Sequence, residues 1–147
     1  MNAAKLSAKP SILIVEDSSA CAALFNAALS EDCHVDCAET FETAAEKLEH
    51  CGYDLILLDL GLPNSAGFET FVKAFRLCRD AAIVVITADD SLKDKCLEAG
   101  ADSYLIKGAG SNQVEELRAA CFSALANRNR KLARFASGFD DLMLGGA

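Results

Sequence analysis

Glu16 and Asp17 stand side by side directly after the β-branched run Ile12–Val15, and Asp59 closes a second apolar run, Leu55 to Leu58. Thr87 ends a third such run, Ala82–Thr87, and Lys107 ends a fourth, Ser103–Lys107. Carboxylates gathered in one place repel one another and do not all stay ionised unaided. A divalent cation resolves the conflict. Oxygen-only donors with positions left for water suit Mg²⁺, with Mn²⁺ as a substitute. No histidine or cysteine adjoins these positions, which argues against zinc. A lysine ammonium grips one phosphoryl oxygen, a threonine hydroxyl donates to a second, and the metal takes a third. Each equatorial oxygen of a transferring phosphoryl group then has a partner. Asp59 is the nucleophile in such a site, and its product is an aspartyl phosphate.

These residues act together only if the chain places them together. Short apolar runs alternate with amphipathic stretches along the whole sequence. Ser18 or Ser19 caps a helix carrying Cys21, Leu24, Phe25 and Leu29 at helical spacing. His34–Ala38 reads as a weak strand, and Thr40 opens a helix with Phe41, Ala44, Ala45 and Leu48, stopped by Gly52. The Asp54–Asp59 run is continuously apolar between acids, as in a central parallel strand buried on both faces. Gly61, Pro63, Asn64, Ser65 and Gly67 make the following segment a loop. Phe68, Phe71, Val72 and Phe75 form the core stripe of a third helix. Leu92, Cys96, Leu97 and Ala99 mark a fourth, ended by Gly100, and Val114, Leu117, Cys121 and Leu125 a fifth. Five strand–helix units predict an α/β fold: a five-stranded parallel sheet with helices on both faces. The common order is 2-1-3-4-5, and its ligands lie at the carboxyl ends of strands one and three. Glu16, Asp17 and Asp59 fall at those two ends, flanked by Thr87 and Lys107.

Composition bounds the alternatives. The 147 residues suit one domain, and 52% apolar content supports a full core. A net charge of -8 disfavours direct binding to DNA or to an anionic membrane. No apolar run approaches the ~20 residues of a membrane span, and Met1 to Lys9 lacks a signal-peptide pattern, so a cytoplasmic protein is expected. Cys21, Cys33, Cys37, Cys51, Cys78, Cys96 and Cys121 include no C-x-x-C pair and read mostly as buried small hydrophobes.

The segments Ile12-Leu13-Ile14-Val15-Glu16-Asp17, Asp54 through Pro63, Val85-Ile86-Thr87-Ala88 and Gly100 through Lys107 resemble the response-regulator receiver family of two-component signalling. The likeness runs from about Ser11 to Leu125 and implies the flavodoxin-like doubly wound fold. It implies that Asp59 accepts a phosphoryl group from a histidine kinase or histidine phosphotransfer protein. Glu16, Asp17, Asp59 and the backbone carbonyl of Gly61 match the Mg²⁺ ligands. Thr87, Ala88 and Lys107 match the phosphoryl-binding positions, and Tyr104 the aromatic that turns inward as Thr87 moves. Gly61 and Asp89 fall where phosphate lifetime is tuned. The fourth helix, fifth strand and fifth helix match the surface that partners read, and a homodimer formed on phosphorylation is one way of reading it. One departure is Gly108, which stands where the family usually has a proline preceded by a cis bond.

Taken singly, each of these residues has an ordinary structural reading: an acidic pair at a helix start, a turn former, a solvated lysine, a strand threonine, a core tyrosine. It is their order at successive strand ends that carries the chemistry. Asp89 and Asp90 read as caps of a helix beginning near Ser91, and His34 and His50 as exposed residues outside the site. The expected organisation is an N-terminal extension over 1–10, a receiver domain over 11–126 and a helical tail or linker over 127–147. Output then passes to a separate protein or to a C-terminal domain beyond the tail. The competing functions are a phosphorylation-independent pseudo-receiver, an aspartate-nucleophile phosphatase and a flavin-binding domain. A phosphatase usually needs a second aspartate where Gly61 stands. A flavin site needs a hydroxyl- and glycine-rich loop where Glu16 and Asp17 stand. The complete acid, threonine and lysine set argues against a pseudo-receiver.

Overall fold

The computed structural model describes residues 8–140 except 79 and 109, with side chains described as far as 128. Among the described residues, five strands alternate with five helices: β1 Ser11–Val15, α1 Ser19–Leu29, β2 His34–Ala38, α2 Phe41–His50, β3 Leu55–Leu58, α3 Gly67–Leu77, β4 Ala82–Thr87, α4 Lys93–Ala99, β5 Ser103–Ile106 and α5 Gln113–Asp140. All strand pairs are parallel, in the order β2-β1-β3-β4-β5. This is the expected doubly wound sheet, and its order reverses between β1 and β3.

The period of two along each strand divides the core into two layers. Leu13, Val15, Ile56, Leu58, Ile83, Val85 and Tyr104 share one cluster with Phe71 and Ala74 of α3 and Cys96 of α4. Ile12, Ile14, Leu55, Leu57, Val84 and Ile86 share the other with Phe25 and Leu29 of α1 and with Leu117 and Cys121 of α5. Each fully buried Leu or Ile contributes roughly 1.5–3 kcal/mol of apolar burial, so the three central strands dominate stability.

Local signals fix the ends of the first two helices. The Ser18 hydroxyl accepts from the Cys21 N–H at 3.3 Å, and Thr40 Oγ1 accepts from Thr43 at 3.1 Å. The start of α4 departs from expectation. It begins at Lys93 behind Leu92, with no side-chain cap. Asp89 instead accepts from the Ser91 N–H and hydroxyl, both at 2.8 Å, and so forms the turn that precedes the helix. The phenylalanine stripe is only partly core: Phe71 is buried, whereas Phe75 is 46% exposed and lies against Gly100. Leu97 and Val114 also face outward. Gly100 has φ +120, and a Cβ there would meet Phe75 Cε2 at 2.5 Å, so both backbone conformation and packing require glycine.

Cys33, Cys78, Cys96 and Cys121 are buried, Cys21 is partly so, and Cys37 and Cys51 are exposed, as are His34 and His50. No peptide bond among the described residues is cis, so Lys107–Gly108 is trans. The N-terminal extension falls mostly on residues 1–7, and Leu142, Met143 and Leu144 of the tail also lie outside the described residues.

Candidate functional site at the carboxyl edge of the sheet

Sheet hydrogen bonding continues one residue past three strand ends, and this positions the site. The Glu16 N–H donates to the Ala38 carbonyl at 3.0 Å, the Asp59 N–H to Val15 at 3.0 Å, and the Lys107 N–H to Thr87 at 2.8 Å. Glu16 therefore keeps strand geometry and is buried, while Asp17, one residue on, is exposed. Asp59 is 4% exposed and Thr87 3%.

The Lys107 ammonium joins the acids. Its Nζ lies 2.5 Å from Glu16 Oε1 and donates to Asp59 Oδ2 at 2.8 Å. The Gly61 N–H donates to Asp59 Oδ1 at 2.8 Å. The Ser18 N–H donates to Glu16 Oε2 at 3.2 Å. Both Asp59 oxygens therefore carry a donor. Glu16 Oε1 is buried and makes no well-directed hydrogen bond, although the ammonium is close to it.

These contacts set the protonation balance. Burial pushes the Glu16 carboxyl above its ordinary range, with Lys107 and the Ser18 N–H opposing and Asp59 adding to the rise. Burial pushes Asp59 upward too, but Lys107, the Gly61 N–H and Glu16 outweigh it and hold that carboxyl below its ordinary range. For Lys107, burial is outweighed by its two carboxylate partners, so its affinity for the proton rises. At neutral pH the lysine is a cation and Asp59 a carboxylate, the nucleophilic form.

One carboxylate oxygen from each of Glu16, Asp17 and Asp59 falls within a group spanning 4.8 Å. This donor set consists only of oxygen, contains a buried acceptor without a well-directed hydrogen bond, and fits a hard divalent cation. The remaining expected residues take distinct places. Gly61 lies beside Asp59, where a Cβ would stand 3.4 Å from Oδ1. Ala88 is exposed just past β4. Tyr104 is buried, and its hydroxyl donates to the Asp89 carbonyl, which ties β5 to the loop after β4. The Asp89 carboxylate is engaged by Ser91 and held low by those bonds. Sequence reasoning did not find the Ser18 and Gly61 N–H donors, because backbone amides leave no residue-type signal.

Comparison with known proteins agrees with this architecture. The family described as the response regulator receiver domain matches residues 12–120. The transcriptional regulatory protein BasR of Escherichia coli K12 is 35% identical over 123 residues, covering 82% of this chain and 54% of that protein. The chain thus spans about half the length of the curated relatives it matches. A CheY-like response regulator receiver domain protein from Methanospirillum hungatei JF-1 superposes with a TM-score of 0.75 at 28% identity, covering 84% of this chain and 99% of that one. The response regulator TrrA from Thermotoga maritima, solved in complex with Mg(2+)-BeF, superposes at 0.63 with 29% identity, covering 73% and 94%.

Proposed function

Since the chain belongs to the response-regulator receiver family of two-component signalling, we propose that it accepts a phosphoryl group on Asp59 from a histidine kinase or a histidine phosphotransfer protein. The observation that carries this reading is the bridging ammonium: Lys107 lies within 2.8 Å of both Asp59 and Glu16, inside a cluster of three carboxylates at the switch point of the sheet.

An Asp59 carboxylate oxygen bonds to phosphorus as the phosphorus–nitrogen bond of the donor histidine breaks, and the leaving imidazole keeps that electron pair. Lys107 passes from Asp59 Oδ2 to a phosphoryl oxygen, and the Thr87 hydroxyl donates to another. The Gly61 N–H steadies Asp59 throughout. Glu16, Asp17, Asp59 and the Gly61 carbonyl would hold Mg²⁺, which neutralises charge on the phosphoryl oxygens.

Output follows from the movement of Thr87, with Ala88 beside it and Tyr104, whose hydroxyl donates to the Asp89 carbonyl in the loop after β4, turning inward as Thr87 moves. The readout surface is α4, β5 and α5. Its reader is a separate protein or a C-terminal output domain, with phosphorylation favouring a homodimer. On this reading the protein is cytoplasmic and is not a turnover enzyme, and Gly61 and Asp89 set how long the phosphoryl group lasts. An acidic chain of net charge -8 does not itself contact DNA.

The test is intact-mass measurement of the purified chain with Mg²⁺ and acetyl phosphate. A gain of one phosphoryl group that requires Mg²⁺ and is lost in Asp59→Ala supports the reading. Labelling that persists in Asp59→Ala, or no labelling with any small donor, overturns it.

A further inference from the structure

We propose that Thr70 is a positioning residue for the Asp59 site: with Ser65 it ties down the β3–α3 loop, and through that loop it keeps the Gly61 amide on the Asp59 carboxylate. Among the described residues, four polar or charged residues other than cysteine and tyrosine are buried: Glu16, Asp59, Thr87 and Thr70. The first three stand at the carboxyl edge of the sheet. Thr70 stands apart from them in the first turn of α3, and it is the most deeply buried of the four.

A buried hydroxyl is costly unless it has a partner. The partner here is Ser65, half-buried in the loop: Ser65 Oγ and Thr70 Oγ1 share a hydrogen bond. That bond joins two unlike segments. On the helix side, Phe71 and Ala74 seat α3 in the core, and Leu92 packs against Gly67, where a Cβ would meet Leu92 Cδ1 at 2.9 Å. On the loop side, the chain passes through Asn64 at φ +59 and enters α3 behind Ala66, which supplies no side-chain cap. A serine, threonine, asparagine or aspartate at the cap position usually fixes such a joint. With alanine there, the Ser65–Thr70 bond takes over that role.

The restraint matters to Gly61 because that residue supplies none of its own. It has no Cβ, so its backbone is freer than that of other residues. Its N–H stays on Asp59 Oδ1, at 2.8 Å, only while the chain on both sides is held. One side is held by the sheet, through the Asp59 N–H on the Val15 carbonyl. The other side is the loop that Ser65 ties to Thr70. Leu60 and Leu62 are buried between these two anchors. Apolar burial is not directional, so it leaves the tilt of the Gly61 peptide open. The role rests on the phosphoryl transfer proposed above, in which Gly61 steadies Asp59.

Thr70→Val removes the hydroxyl and keeps the β-branched shape. One neutral hydrogen bond biases a local opening by roughly three- to tenfold. In the variant the Gly61 amide, followed by NMR without phosphodonor, should exchange faster by that factor, and its proton should shift upfield as it leaves the carboxylate. Labelling of Asp59 by acetyl phosphate with Mg²⁺ should slow about threefold or more. Thr70→Ser should restore both. Ser65→Ala breaks the same bond from the loop side and should match Thr70→Val, and the double variant should go no further than either alone; Ser65→Ala also carries the test if Thr70→Val does not fold. A Thr70→Val protein that melts earlier with the Gly61 amide unmoved has lost only stability, and overturns the proposal. So does a change that Thr70→Ser fails to reverse, or an altered amide with labelling at the parent rate. If the parent itself takes no label, the reading of Asp59 fails, and the Gly61 amide alone decides whether Thr70 holds the loop.

Discussion

Replacing Lys107 with methionine keeps the length of the side chain and removes its charge. The ammonium is the common partner of two carboxylates, Glu16 and Asp59, whose side chains are 1% and 5% exposed. Removing one partner from a buried ion pair typically costs 3–5 kcal/mol, because the other charge is left buried and uncompensated. Lys107 is 20% exposed, so water partly replaces it, and the cost should fall near the lower end, about 3 kcal/mol. For a domain of this size that corresponds to a melting temperature lower by roughly 10 °C. The deficit should depend on pH. Lys107 has a raised proton affinity, so its stabilisation is fully present below its ordinary value of 10.5 and is lost only as pH rises above that. The Asp59 carboxyl is held low, so its stabilisation is present above its ordinary 3.8 and is lost as pH falls through the lowered value. Glu16 runs the other way, because its raised value makes its ionised form a cost at neutral pH. In Lys107→Met both acids lose their counterion, so acidification that protonates them should shrink the gap between variant and parent. Mg²⁺ should narrow the gap at neutral pH if the cluster holds it. Urea unfolding followed by far-ultraviolet circular dichroism measures all three effects. Equal stability of variant and parent at neutral pH refutes the reasoning. So does a deficit that neither acid nor Mg²⁺ reduces.

Gly100→Ala puts a Cβ 2.5 Å from Phe75 Cε2 at a φ of +120, and should cost about 1–3 kcal/mol. Adding Phe75→Ala should recover part of this, since that ring is half exposed; a neutral Gly100→Ala in chemical denaturation sinks the argument. The two tyrosines, unobscured by tryptophan, should both ionise late in an ultraviolet pH titration. Burial pushes Tyr104 up to about 12 and Tyr53, which also donates to Asp36, still further. Raised values mean stability that is full below pH 10 and lost above it, so tyrosinate should appear together with alkaline unfolding. A step near pH 10 in the folded protein contradicts this.

How much of this was legible in the sequence differs from residue to residue. The strand order could be anticipated because β3 and β4 are uninterrupted apolar runs, which mark central parallel strands, while β2 mixes polar and apolar residues as an edge does. That order alone brings Glu16, Asp17 and Asp59 to one place. The depth of each acid was not legible. Glu16 is buried and Asp17 exposed because one further sheet hydrogen bond, to Ala38, extends strand geometry past Val15. Ladder bonds past a strand end leave no trace in residue type. The position of Phe75 was missed for a similar reason. Helical spacing puts it on the stripe of Phe68 and Phe71, but the stripe runs out over Gly100 at the margin of the core. Asp89 had the composition of a helix cap, yet a two-residue turn onto Ser91 satisfied it first.

The charge of the site explains why one lysine cannot be its whole electrostatic design. Three carboxylates and one ammonium leave a formal charge of -2, from three negative groups and one positive one. Phosphorylating Asp59 replaces one carboxylate charge with about two on the phosphoryl group, and the sum moves to about -3. The single charge of Lys107 is shared between Glu16 and Asp59, so turning it toward a phosphoryl oxygen would uncover Glu16 Oε1, a buried oxygen without a well-directed hydrogen bond. Phosphorylation on Asp59 therefore worsens the electrostatics unless a second cation enters as the lysine turns. A divalent ion held by these acids would bring the sum to about -1 and would offset the charge left on Glu16. Asp17, exposed and unburdened by the lysine, is the acid best placed to receive that ion from water. The division between a buried acid paired with the lysine and an exposed acid open to a cation from water follows from the single residue by which β1 overruns Val15.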